Sequence, residues 1–282
     1  MVTIFSSKRC LEYDAYPESP SRVGRPYDLL KDTHDIREPS PCDESVLPLA
    51  HDVHFLDMLR SYDSSIFDGD SPPIPGIYDY ALLSAGGALD SLNSAMKGDV
   101  AFSLMRPPGH HVGRDFLGGF CYLNNIAIAI KKSAEKFDRI AIVDFDCHHG
   151  NGSQDIFLGD SRVLYVSLHQ YGIYPGTGYR SEGNCLNYPL EWRTGERRYL
   201  ATLEKALGEV KKFDPELIGI SAGFDAHRND PIASLSLEVE SFGKIGEMIG
   251  GFGLPTFAVL EGGYSPELPL CIEEFLEGLS QR

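Results

Sequence analysis

The sequence holds one tryptophan, five methionines and no C-x-x-C pair. Its six cysteines, Cys10, Cys42, Cys121, Cys147, Cys185 and Cys271, follow no repeating spacing. That excludes a disulfide framework and fits free thiols in a reducing compartment. No apolar run approaches the roughly 20 residues of a membrane span. Met1–Phe5 runs into Ser, Ser, Lys and Arg rather than an apolar core, so no signal peptide is expected. A cytoplasmic protein without membrane contact follows. Basic residues are scarce: 25 Lys and Arg stand against 41 Asp and Glu, a net charge of −16. This argues against nucleic acid as a direct ligand, since phosphates call for a basic surface. It leaves open both steering of cationic substrates and plain solubility. Internal repeats and low-complexity tracts are absent.

What remains is ordinary globular composition, 42% hydrophobic and 23% charged, over 282 residues. Short apolar runs at Val100–Leu104, Arg139–Val143, Val163–Leu168, Leu217–Ser221 and Thr256–Leu260 read as buried strands of a parallel sheet. Helical patterns occupy Tyr78–Lys97, Leu123–Phe137, Glu196–Phe213, Val239–Ile249 and Pro266–Leu279. In Glu196–Phe213 the apolar stripe is Tyr199, Leu200, Leu203, Ala206, Leu207 and Val210, a helical period. Alternating strands and helices indicate an α/β doubly wound sheet, taken as a single domain over 1–282. The stretch 68–76, rich in proline and glycine, reads as a surface loop.

Each of the five strands runs into a polar or glycine-rich cluster at its carboxyl end. These are Arg106-Pro107-Pro108-Gly109-His110-His111, then Asp144 to Gly152, Ser167-Leu168-His169, Ser221 to Asp225, and Glu261-Gly262-Gly263-Tyr264. Ligands of open α/β sheets bind outside the carboxyl ends of the strands, so five such clusters point to one shared site.

Asp146 and His148 are two apart and on extended chain point the same way. With Asp225 they make a two-carboxylate, one-imidazole set, and three protein ligands leave positions open for water and substrate. The alternative role for Asp225 is a helix N-cap. His110 and His111, after a stiff Pro-Pro-Gly turn, suit acid and base roles, with Asp144 and Asn151 as available partners, or are solvated loop histidines. Tyr264 could donate to an oxyanion or simply pack over the sheet end. Phe120 and Tyr174 could wall an apolar channel or be ordinary packing aromatics.

Six ordered strings carry a family resemblance: RPPGHH at 106–111, GGFCYLNN at 118–125, VDFDCHHGNGSQDIF at 143–157, YPGTG at 174–178, SAGFDAHRNDP at 221–231 and LEGGY at 260–264. Together they resemble the zinc-dependent deacetylases: histone deacetylases, acetylpolyamine amidohydrolases and acetoin-utilisation proteins. The resemblance implies the arginase–deacetylase fold, with a largely parallel central sheet flanked by helices. It implies one zinc ion on Asp146, His148 and Asp225, tandem histidines at His110 and His111, and Tyr264 as oxyanion donor. Gly119 would accept the substrate amide N–H through its carbonyl, and Phe120 and Tyr174 would wall an acyl-lysine tunnel. It further implies a structural potassium ion on the side chains of Asp144 and Ser167 and the carbonyls of Asp146, His148 and Leu168. A second monovalent site would use carbonyls of Phe157, Asp160 and Val163. The expected reaction is attack of metal-activated water on the acyl carbonyl, with His111 taking the proton and His110 tuning the field or assisting the leaving amine.

Two positions depart from common members. Asn151 stands where many have Asp, making His111 less basic, and Tyr174 replaces the more usual Phe. Ile232 lies where a gating residue is expected, and its apolar side chain cannot read a distant amine. The substrate is an acylated amine, either acyl-lysine or an acetylated polyamine or other small amine; acyl length and oligomeric state are not legible. An arginase-type binuclear site is disfavoured because Ala226-His227 follows Asp225. A silent binder of acylated amines is disfavoured because every expected catalytic residue is present.

Overall fold

A computed structural model describes residues 2–281. Among them eight parallel strands form one sheet: β1 Thr3–Phe5, β2 Asp35–Arg37, β3 Val100–Ser103, β4 Ile140–Asp144, β5 Val163–Gln170, β6 Cys185–Leu190, β7 Leu217–Ala222 and β8 Thr256–Leu260. Their order is β2-β1-β3-β8-β7-β4-β5-β6. The helices are α1 Ser21–Leu30, α2 Val53–Arg60, α3 Ile77–Ala95, α4 Asn125–Ser133, α5 Asn151–Phe157, α6 Glu196–Phe213, α7 Val239–Gly250 and α8 Leu268–Leu279.

Strand side chains alternate between two apolar layers, as the pleat requires. Ala141 and Val143 of β4 enter the layer shared with α1, α6, α7 and α8. Ile140 and Ile142 enter the layer shared with α2, α3, α4 and α5. Both faces are therefore covered, which is why these strands read as continuous apolar runs. A buried Ile or Leu contributes about 1.5–3 kcal/mol here.

All five expected strands and five expected helices are present, with ends shifted by a few residues. α4 starts at Asn125 rather than Leu123 because the side chain of Asn124 caps it, accepting from the Ala127 N–H at 3.0 Å. α8 starts at Leu268, with Pro269 in its first turn. The sheet is wholly rather than largely parallel. β1, β2, β6, α1, α2 and α5 were not expected. β1 and β2 have three residues each, too few for a period. β6 contains Pro189 and lies at the sheet edge, where a missing N–H is tolerated.

The order places β3, β8, β7, β4 and β5 side by side. These are the five strands whose carboxyl ends carry the polar clusters, so the clusters share one edge of the sheet. The 68–76 stretch is not merely surface: Ser71 is buried, and Gly69 and Asp70 reach the rim of the site.

Candidate active site

β4 delivers Asp144 and then Asp146 and His148, and β7 on its flank delivers Asp225. The ligand atoms of Asp146, His148 and Asp225 all lie within 4.8 Å of one another, and all three residues are buried. His148 Nδ1 is 2.8 Å from Asp225 Oδ2 and 3.2 Å from Asp146 Oδ1. Asp225 caps no helix; its other oxygen accepts from the Cys147 N–H at 2.8 Å. Asp146 accepts from the N–H groups of His148 (2.9 Å) and Gly262 (2.6 Å). Gly262 and Gly223 press against this carboxylate: a Cβ at either would stand 2.5 or 2.1 Å from Asp146 Oδ2. Only glycine permits that approach.

Burying two carboxylates beside one imidazole calls for a cation. Burial opposes charge on His148, but hydrogen bonds and fields from Asp146 and Asp225 lift its pKa to about 10. Burial and the neighbouring Asp146 push Asp225 up, to about 6. The donor set, two oxygens and a nitrogen, fits a zinc-class ion. His227 stands apart from it, its Nδ1 accepting from the Asn229 N–H at 3.3 Å.

The tandem histidines both line the cavity, with ring centroids 4.1 Å apart. Their Nδ1 atoms meet different partners: Asp144 Oδ2 at 3.0 Å for His110, Asn151 Oδ1 at 2.8 Å for His111. Burial opposes charging His110, yet Asp144, Asp146 and Glu261 outweigh it and raise its pKa to about 10. Burial, then repulsion from His110 and His148, pushes His111 well below the usual histidine range. Environment thus separates two adjacent identical side chains into a charged and a neutral one.

Above the triad lies a cavity of about 370 Å³. Its walls are Phe120, Tyr174, Pro108, Gly119, Ile232 and Tyr264, and its mouth is framed by Tyr16, Pro17, Gly69 and Asp70. Phe120 takes a left-handed φ of 67° and meets Tyr264 edge-on at 5.9 Å. Such strain in a non-glycine residue costs about 1–3 kcal/mol and is held by the surrounding structure. The hydroxyl of Tyr174 lies over Gly118, 2.6 Å from where a Cβ there would stand. Burial raises the Tyr264 phenol well above its usual pKa, so it remains a donor.

Sequence reasoning missed the supports. Glu261 Oε2 accepts from the N–H groups of Gly109 (2.7 Å) and His110 (3.1 Å), fixing the histidine turn. Asp230 accepts from the N–H groups of Tyr264 (2.8 Å) and Ile232 (3.0 Å). Arg22 donates to the carbonyls of Gly263 (2.7 Å) and Glu261 and stacks 4.5 Å over the Tyr264 ring. Glu18 then bridges Arg22 (2.9 Å) to a bidentate pair with Arg106 (2.6 Å). Glu261 and Arg106 lay in noticed motifs, but no periodicity links Glu18 or Arg22 to them.

Asp144 and Ser167 are register partners on β4 and β5, so their side chains share a side of the sheet. No described residue donates a hydrogen bond to the carbonyls of Asp146 or His148. Two unpaired carbonyls on buried residues call for a positive partner, which a monovalent cation would supply. The carbonyls of Phe157, Asp160 and Val163 lie outside the cavity and converge on the Asn184 amide.

A sequence profile described as "Histone deacetylase domain" matches residues 16–279. The chain is 41% identical over 231 residues to a probable deacetylase of Archaeoglobus fulgidus, an alignment covering 76% of this chain and 64% of that protein. It is 35% identical over 289 aligned positions to a histone deacetylase-like amidohydrolase of Pseudomonas aeruginosa, covering 94% and 76%. The crystal structure of an acetylpolyamine aminohydrolase from Burkholderia pseudomallei superposes with a TM-score of 0.94 at 29% identity, covering 100% of this chain and 99% of that one.

Proposed function

Because this chain belongs to the histone deacetylase family of amidohydrolases, we propose that it hydrolyses the amide of an acylated amine over a zinc ion held by Asp146, His148 and Asp225. The observation that carries this reading is the buried triad at the floor of the cavity, flanked by two histidines, one held charged and one neutral. A bound zinc ion would polarise the acyl carbonyl and activate a water.

The rest is the work of the chain itself. With Asn151 Oδ1 facing it, His111 carries its proton on Nδ1, which leaves Nε2 as a free acceptor for the proton of the attacking water. His110, held charged by Asp144, stabilises the negative charge that develops beside it. Tyr264 donates its phenolic proton to the oxyanion in a hydrogen bond, its main chain held by Asp230 and its ring stacked under Arg22. Phe120 and Tyr174 sandwich the aliphatic part of the substrate, and the Gly119 carbonyl accepts its amide N–H. Ile232 completes an apolar wall. Products are a free amine and a carboxylate, most simply acetate.

Potassium on Asp144, Ser167 and the carbonyls of Asp146, His148 and Leu168 would brace this edge of the sheet. Residues 1–282 act as one catalytic domain. Six free, buried cysteines suit the cytoplasm, and no helix of the described residues is long and apolar enough to cross a membrane.

Acyl-lysine peptides, N-acetylputrescine and N-acetylspermidine, assayed under identical conditions with zinc-loaded protein, test the proposal. Turnover of at least one, abolished by chelation and restored by zinc, is expected. No turnover of any of them by the metal-loaded protein overturns it.

A further inference from the structure

The segment from the end of α5 to the start of β5 brings three main-chain carbonyls, of Phe157, Asp160 and Val163, to one point. That point is filled by a side chain. Asn184 Nδ2 lies 2.8 Å from the Phe157 oxygen, 3.2 Å from that of Asp160 and 2.8 Å from that of Val163. The orientation of the amide is unambiguous, because three carbonyls can only accept and need the NH2 end. The other end agrees: Asn184 Oδ1 accepts from the Gly159 N–H at 2.7 Å. The main chain of Asn184 is itself pinned, its carbonyl accepting from the Tyr165 N–H at 3.0 Å. Two residues of the cage also meet a fixed cation. Lys131 Nζ pairs with the Asp160 carboxylate at 3.0 Å and lies 4.9 Å over the Phe157 ring.

Two of these carbonyls also accept main-chain N–H bonds, Phe157 from Asp160 (2.9 Å) and Asp160 from Val163 (3.0 Å). Each keeps a second lone pair, and three carbonyls turned to one point still repel one another without a positive centre between them. An alkali ion can supply one, with carbonyl oxygens replacing its hydration shell. An amide NH2 supplies the same function with two polarised hydrogens and no net charge. At these distances the nitrogen and an ion cannot occupy the cage together. We infer that the Asn184 amide stands in the place of the second monovalent cation, so this chain closes the α5–β5 connection with its own side chain and binds no ion there. The consequence reaches the active site through the two elements it joins. α5 begins at Asn151, the partner of His111, and β5 carries Tyr165, whose hydroxyl donates to Asp144 at 2.7 Å. Their spacing then does not depend on the salt present. This inference concerns the cage alone and does not rest on the hydrolytic reading.

Crystals of the full chain soaked in rubidium chloride give the direct test by anomalous diffraction. The expected result is no rubidium among the carbonyls of Phe157, Asp160 and Val163, with the Asn184 amide in place. Rubidium there, with the amide swung out, overturns the inference. The variant Asn184→Ala supplies the complement by thermal unfolding in choline chloride, with potassium replacing choline at constant ionic strength. Its Tm should fall by about 5 °C in choline, as expected for loss of several partly buried hydrogen bonds. It should recover with saturable potassium binding beyond the response of the parent. A potassium response equal to that of the parent means the vacated cage takes no cation, and overturns the inference. Should the variant fail to fold, the rubidium experiment on the parent decides. Neither readout uses hydrolysis, so failure of the amidohydrolase assignment leaves the result interpretable.

Discussion

His111 Nδ1 donates to the neutral Oδ1 of Asn151 at 2.8 Å, whereas its neighbour His110 has a carboxylate, Asp144, at 3.0 Å. The carboxylate helps to charge His110, and burial with repulsion from His110 and His148 then keeps His111 neutral, with no carboxylate at its own Nδ1 to oppose them. Asn151→Asp would place a negative charge against His111 and favour its protonated form. An opposite charge at this distance raises a pKa by about 1–3. The acidic limb of the kcat/KM profile, which reports protonation of the base, should therefore move to higher pH by about 1–3 pH units. At pH 6 the variant should be slower than the parent. Profiles measured from pH 5 to 9 check this, and superimposable limbs would remove His111 from the role of base.

Tyr264→Phe deletes one hydroxyl and keeps the ring under Arg22 and the backbone bond to Asp230. Metal content and folding should be unchanged. Loss of one oxyanion donor costs on the order of 100- to 1,000-fold in kcat, about 3–4 kcal/mol, with KM changed far less. A kcat within a few-fold of the parent would make Tyr264 a packing aromatic.

The sequence exposed the parts of this molecule whose signals are local. α6 lies where the stripe from Tyr199 to Val210 puts it, Glu196–Phe213. Five strand-end clusters could be pooled into one site because a parallel sheet puts all carboxyl ends on one edge. The supports were illegible because they are non-local. Arg22 contacts Gly263 and Glu261 across 241 and 239 positions, and nothing near Arg22 announces it. β6 was hidden by Pro189, and α5 by the glycines around its start. Asn184 stands in no motif, and its role appears only once three carbonyls from another segment turn toward it.

Removal of the metal should abolish turnover, and zinc or cobalt should restore it. Elemental analysis should give about one transition-class ion per chain for the parent and well below that for His148→Ala or Asp225→Asn, since a three-ligand set tolerates little loss. Protons compete for the same site. With the His148 pKa raised to about 10 in the ion-free site, binding displaces one proton there. Apparent affinity should fall roughly tenfold for each pH unit of acidification. Full activity in protein shown to be metal-free would end the metal mechanism.

Asp70 sits on the rim of the cavity in a chain of net charge −16. Raising salt from low ionic strength to 0.15 M, where screening acts over about 8 Å, should lower kcat/KM for an acetylated polyamine more than for a neutral acetyl-lysine derivative. Asp70→Asn should shrink that difference. Equal salt responses in the parent would assign the charge to solubility alone.

The last prediction concerns acid stability and rests on His51. This side chain is 3% exposed and joins two loops of the active-site edge. Its Nδ1–H donates to the Gly113 carbonyl at 2.8 Å, and its Nε2 accepts from the Asn124 N–H at 3.0 Å. The acceptor role of Nε2, and so the pair of bonds together, requires the neutral ring. Burial pushes its pKa down to about 4, against about 6.5 in the unfolded chain. The sign follows from the depressed folded value: the unfolded state takes up a proton first as pH falls. The contribution of His51 is complete above about pH 6.5, declines between 6.5 and 4, and is lost at lower pH. Its size is about 3 kcal/mol. His51→Gln keeps a donor and an acceptor but does not titrate. Urea unfolding at pH 7 and pH 4.5 should show a loss of stability in the variant smaller by about 2–3 kcal/mol than in the parent. Because each protein is compared with itself, any general weakening by the substitution cancels. Equal losses would show that His51 is not held neutral in the folded state.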